Sequence, residues 1–290
     1  MSGRSKKIAY YVCDCLLAVL VIAGTFFLLF TAPEFGTAEY IAIAFLIISV
    51  LLRVPEAIHE AGHLLFGALS GLKFHAVTCM LFRFERGKRP HFVGYRDPAA
   101  GASEMFPVRG GGVRKKMIAF TLGGSAVNLI LGGILLTLYF SLQYSATMLF
   151  FAIFSFFLFY EGIRALIPVE LSAGKTDGKL LIGFIKRERD EEVTLRVLTA
   201  QGILYQNEFS AVQPAILFEV PVVREDLPAF SALLLIRVQY FLYKEEDELA
   251  YKQLERLQSF ELSGEMSEEV QHYLSYFTGE FVARKRQELF

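Results

Sequence analysis

The chain holds five histidines in 290 residues, and two of them stand in His59-Glu60-Ala61-Gly62-His63. This is an H-E-x-x-H spacing. Residues four apart share one face of an α-helix, so both imidazoles can bind one metal ion, and the donor set suits Zn2+. Glu60, beside the first ligand, can then act as general base on a water held by that ion. A catalytic zinc site also needs a third protein ligand and an open position. His75, His91 and His272 have the right donor type, as do the acids Glu161, Glu170 and Asp177. Spacing does not choose among the three acids.

The motif sits where ionisable groups are costly. It lies late in an apolar run from about Tyr40 to Leu72, and charged or imidazole side chains inside such a run mark function. Thirty-three helical residues would extend about 50 Å, too long for one straight crossing of about 30 Å of hydrocarbon. Pro55 offers a kink, which would leave His59, Glu60 and His63 on the cytoplasmic side of the midplane. The bland alternative is a pair of packing histidines satisfied by neighbouring helices.

Three other runs are long enough to span: about 8–30, 117–142 and 146–168. The first exceeds a signal-peptide core and has no small-x-small cleavage site after it, so it reads as a retained helix. Arg4, Lys6 and Lys7 precede it, and residues 73–116 hold ten Lys/Arg against three Asp/Glu. The links 31–39 and 143–145 have no Lys or Arg. The charge bias places both termini and the 73–116 loop in the cytoplasm. Mean hydropathy is +0.42, and the expected setting is the lipid bilayer of a bacterial cell membrane.

The two parts of the chain differ in charge. Residues 1–186 carry 18 Lys/Arg and 11 Asp/Glu, whereas 187–290 carry 11 and 19. A basic membrane domain with an acidic solvated appendage follows, and no basic pattern interleaved with aromatics points to nucleic acid. Within the basic loop, "AVTCMLFRFER" and "HFVGYRD" are β-prone, with Gly-Lys-Arg-Pro between them as the turn of a hairpin. Gly110, Gly111 and Gly112 lack the setting of a phosphate loop and read as linkage. Cys13, Cys15 and Cys79 form neither a disulfide framework nor a zinc knuckle.

The motifs together resemble the site-2 protease family of intramembrane zinc metalloproteases. The matching pieces are "HEAGH", "GGSAVN" at 123–128 and "ALIPVELSAGKTDG" at 165–178, and the resemblance covers roughly residues 40–186. Gly71 also fits the family's pattern. The resemblance implies Asp177 as third zinc ligand and Asn128 as the polar group that helps hold substrate or the developing oxyanion. It implies a transmembrane or membrane-proximal peptide as substrate. Ser125 stands where relatives often have proline, Ala165 where they usually have asparagine, and the stretch from Pro168 to Asp177 is longer than the commonest form. Read without the resemblance, Asn128 among its glycines is a close-packing face, and Asp177-Gly178 is a helix cap or turn. Glu161 and Arg164, one turn apart, read as an ion pair.

After Asp177, "KLLIGFIKRER" reads as a short amphipathic helix, and 190–290 as helical. "AFSALLLIRVQYFLYKEEDELAYKQLERL" forms two apolar-periodic segments about a charged break, and "SEEVQHYLSYFTGEFVARKRQEL" a further one. Antiparallel pairs of this kind suit either a stabilising cap or a surface for a protein partner. The expected fold is an α-helical membrane protein of about four transmembrane helices with a small β-hairpin loop, followed by a C-terminal cytoplasmic helical domain. The rivals to an intramembrane endopeptidase are a scaffold with a remnant metal site and a CAAX-processing-type zinc protease. The latter would need Glu161 or Glu170 to face the histidines.

Overall fold

The structure of the chain, a computed structural model, describes residues 3–31, 36–51, 53–80, 82–93, 103–108, 111–143, 145–171, 174–206, 209–223, 227–258 and 270–275. It divides into two compact units. The first comprises Met1–Met105 and Arg114–Lys186, and the second Phe106–Val113 and Arg187–Phe290.

The first unit begins with α1 (Gly3–Thr31), α2 (Thr37–Leu51) and α3 (Val54–Leu69). A four-stranded antiparallel sheet follows, built from β1 (Leu72–Cys79), β2 (Phe82–Glu85), β3 (His91–Phe92) and β4 (Ser103–Pro107). Then come α4 (Val113–Ser141), α5 (Ala146–Leu166), a small hairpin of β5 (Glu170–Leu171) and β6 (Gly174–Lys175), and α6 (Asp177–Lys186). Three helices, α1, α4 and α5, are long and apolar enough to cross a membrane, which marks a membrane protein, and α2 and α3 pass the same test only as a pair bent by 57°. Leu20, Phe27 and Phe30 of α1 stand exposed, the arrangement lipid favours and water penalises.

The long second run is therefore two helices rather than one kinked rod. The chain turns at Arg53, whose backbone is left-handed at φ 59°. Pro55 then falls in the first turn of α3, where its missing N–H removes no helical hydrogen bond. Arg53 also pairs with Glu56 of that turn, so the guanidinium is neutralised where α3 begins. At the far end Gly71 adopts φ 78° with open space around its Cα. The left-handed backbone, more than lack of room, is what favours glycine between α3 and β1.

Helices α3 and α4 approach through glycine. A methyl group on Gly62 would lie 2.5 Å from the Gly123 carbonyl oxygen, and one on Gly123 2.6 Å from that of Gly62. Such backbone-to-backbone packing is the membrane solution for tight helix pairs. The Tyr160 hydroxyl of α5 donates to Asp14 Oδ1 of α1 at 2.7 Å. Asp14 is thus the member of Cys13-Asp14-Cys15 with a visible task, since both cysteines are exposed. Leu28 and Leu46 pack with Leu149, Ala152, Ile153 and Leu158 in an apolar core.

The sheet runs β3-β2-β1-β4. Val77 opposes Phe84, and Phe82 opposes both Cys79 and Phe92. The stretch "AVTCMLFRFER", expected to be one strand, is instead the end of β1 and all of β2, folded at Met80 with φ 57°. The expected turn at Gly87–Pro90 joins β2 to β3. Most of "HFVGYRD" and Gly110 lie outside the described residues.

The second unit holds α7 (Arg189–Leu204), a 3-10 turn at Phe209–Ala211, α8 (Pro214–Phe218), α9 (Pro228–Tyr243) and α10 (Asp247–Gln258). Its core is Val193, Ala200, Leu217, Leu233, Leu234, Val238, Leu254 and Leu257, all buried. The charged break between α9 and α10 is closed by Glu245 at φ 60°. Arg237 is buried in α9, and both its Nε and Nη2 donate to the Leu217 carbonyl, capping the end of α8. The expected helix near the C-terminus lies outside the described residues except for 270–275, which are helical.

Candidate metal centre

Helix α3 turns His59, Glu60 and His63 inward. All three are buried, at 4–5% exposure, and a ligand atom from each lies within 4.8 Å of the others, a group that could hold a metal ion. The imidazoles stand edge to face, 4.7 Å between ring centres, with Nε2 3.1 Å from Nε2.

Asp177, the first residue of α6, reaches both. Its Oδ2 lies 2.8 Å from His59 Nε2 and 3.2 Å from His63 Nε2. Three electron-pair donors so placed repel unless a proton or a cation lies among them. Around a tetrahedral ion with bonds of about 2.0–2.1 Å, ligand atoms stand roughly 3.3 Å apart. The observed triangle is slightly tighter and nearly equilateral, so the donors fit such an ion with small adjustments. Burial pushes the Asp177 carboxyl up, but hydrogen bonds from His59 and His63 outweigh it and hold it down at about 2. The carboxylate is therefore charged at neutral pH, as a ligand must be.

The next layer orients the imidazoles. His63 Nδ1 lies 2.7 Å from the Phe120 carbonyl oxygen of α4. With a metal bound, an Nδ1–H donated there would leave the Nε2 pair, which otherwise carries the proton shared with Asp177, directed at the ion. His59 Nδ1 is buried without a hydrogen-bond partner among the described residues. Gly124 leaves the room both rings occupy, since a methyl there would lie 2.6 Å from His59 Nε2 and 2.7 Å from His63 Nε2.

Asp177 owes its freedom to its neighbour. Thr176 Oγ1 accepts from the Lys179 N–H at 3.4 Å and donates to the Ile167 carbonyl at 2.7 Å. Thr176 thereby caps α6, and the Asp177 carboxylate is left to face the imidazoles. The long stretch after Pro168 is absorbed by the β5–β6 hairpin, which pairs Glu170 with Lys175 and Leu171 with Gly174. Gly178 completes the arrangement: a methyl there would lie 1.9 Å from the Leu166 carbonyl oxygen.

In comparisons with protein-family models, curated proteins and solved structures, nothing matches the chain. The site is therefore read from its own residues.

The other acids stand elsewhere. Glu161 bonds Arg164 at 2.6 Å, the pairing expected from their spacing, and Glu170 is exposed on β5. His75 lies 3.9 Å from Glu104, His91 is on β3, and His272 belongs to the second unit. Asn128 is fully buried one turn beyond Gly124 on α4. Its Nδ2 donates to the Pro55 carbonyl at 3.3 Å, and its Oδ1 has no partner among the described residues. The bond it makes is to α3, the helix that carries His59 and His63.

Three contributors were not singled out from the sequence. Thr176, just before Asp177 and three residues before Lys179, carried a legible cap signal. The Phe120 carbonyl carried none. Nor did Ser103 of β4, whose hydroxyl donates to Glu60 Oε2 at 2.5 Å.

Proposed function

We propose that the chain is an intramembrane zinc metalloendopeptidase resembling the site-2 protease family. His59, His63 and Asp177 hold the ion, and Glu60 is the general base. The observation that carries this reading is the convergence of His59 Nε2, His63 Nε2 and Asp177 Oδ2 within 2.8–3.2 Å beside a buried Glu60. The bent α2–α3 pair is read as one broken span, giving four crossings with both termini and the basic loop in the cytoplasm.

Bound zinc polarises a peptide carbonyl and makes water acidic near neutral pH. The rest falls to the protein. Glu60 accepts a proton from the attacking water and returns it to the leaving amine, so one carboxylate serves as base and then acid. His59, Glu60 and His63 are buried, which strengthens the electrostatic contacts among them. A helical substrate hides its carbonyls in its own hydrogen bonds and must unwind locally before one can reach the site.

The scaffold reading draws on one observation: Asn128 Nδ2 is bonded to the Pro55 carbonyl. One experiment separates the two. Candidate single-span substrates are incubated in proteoliposomes with the wild-type chain and with Glu60→Ala. The proposal expects cleavage by the first and none by the second. Equal processing, or none by either across the panel, would favour the scaffold.

A further inference from the structure

We infer that Ser103 is the positioning residue of the general base. The inference rests on the proposed function of Glu60, and it adds a role on the sheet that the metal motif does not contain.

The Glu60 carboxylate is buried, and a buried carboxylate needs donors. Among the described residues its donor is Ser103 Oγ, at 2.5 Å from Oε2. The same hydroxyl lies 3.3 Å from the backbone carbonyl oxygen of Glu60. One hydroxyl thus spans the side chain and main chain of a single residue and holds the carboxylate to one arrangement. A glutamate has three side-chain torsions, and a reacting group displaced by about 1 Å can lose roughly 100-fold in rate. The hydroxyl takes one of about four lone-pair sites on the carboxylate, which leaves the others for a water's proton.

Ser103 is held there by its strand. Side chains at i and i+2 of a strand share a face, so Ser103 and Met105 both turn toward α3. Met105 fills the notch at Gly67, where a methyl group would lie 2.4 Å from its Sδ. The residue between them turns the other way: Glu104 accepts from Arg83 Nη2 of β2 at 2.8 Å. β4 is therefore fixed on both faces, and the hydroxyl is delivered to Glu60 by strand register.

The test uses the full chain, zinc-loaded in detergent, as wild type, Ser103→Ala and Ser103→Thr. Zinc content should be the same in all three, since Ser103 is not a ligand. On a single-span substrate that wild type cleaves, Ser103→Ala should lower kcat by about 10–100-fold with KM within about twofold. Acetohydroxamate, a metal-chelating anion whose proton goes to a neighbouring base, supplies a readout that needs no turnover. Its Kd should rise about tenfold in Ser103→Ala, and Ser103→Thr should restore both quantities to within about threefold. Wild-type kcat in Ser103→Ala, where Glu60→Ala is dead, would overturn the inference and leave the proposed function standing. Failure of threonine to rescue would overturn it too, by making the alanine effect structural. Should wild type cleave nothing, the proposed function is what fails. An unchanged hydroxamate Kd in Ser103→Ala would then overturn the assignment of Ser103 as well.

Discussion

Asp177 Oδ2 lies 2.8 Å from His59 Nε2, although 118 positions separate the two residues. The contact joins the start of α6 to the middle of α3, and it closes a triangle of ligand atoms that the H-E-x-x-H motif leaves open. Replacing Asp177 by Ala should remove the third ligand while keeping α3 and α4 packed. Zinc affinity should fall by at least about 100-fold, measured by competition with a chelator, with helical content unchanged by circular dichroism. Retention of wild-type affinity would assign the third ligand elsewhere.

Gly124→Ala should be as damaging as loss of a ligand. Its methyl would sit 2.6 Å from His59 Nε2, and neither the ring nor the helix backbone can yield without moving the site. Gly133→Ala on the same helix is the control, because nothing lies within 4 Å of its methyl position. It should be neutral or stabilising by up to about 1 kcal/mol. Equal zinc content in the two variants would contradict the packing described.

Thr176→Val keeps the shape of the side chain and deletes its hydrogen bonds. Loss of the α6 cap should cost about 1 kcal/mol, and the freed Asp177 should bind zinc about 10–100-fold more weakly. Thr176→Ser should restore both, as read by thermal unfolding and by metal competition.

Tyr160→Phe tests the contact that ties α1 to α5. Removing the hydroxyl that meets Asp14 at 2.7 Å should destabilise the membrane unit by about 0.6–1.7 kcal/mol, the range of hydrogen bonds between membrane helices. Zinc affinity should stay at the wild-type value. A drop in zinc affinity would mean that this contact also shapes the site.

The parts of this arrangement that the sequence carries are those with a period or a fixed spacing. Apolar runs located α1, α4 and α5 to within about five residues at each end, and the i, i+4 histidines face one point. Glu161 and Arg164 pair as their spacing dictates. What could not be read was set by long-range contact or by backbone conformation without a marker residue. The turn at Met80 uses left-handed backbone at a non-glycine residue, so no glycine or asparagine announces it, whereas the bend at Arg53 is signalled by Pro55 two residues on. Spacing could not decide between Asp177, Glu161 and Glu170, because the choice depends on the β5–β6 hairpin and on Thr176 taking the cap. The Asn128 bond to the Pro55 carbonyl follows from a helix register that no single segment encodes.

The most direct measurement is X-ray absorption at the zinc edge on the full-length chain loaded with one equivalent of Zn2+. Two imidazole nitrogens and one carboxylate oxygen are expected at about 2.0–2.1 Å plus a light-atom solvent ligand, with the carboxylate contribution lost in Asp177→Ala. A chain that retains no zinc, or a spectrum identical in wild type and Asp177→Ala, would contradict this ligand set.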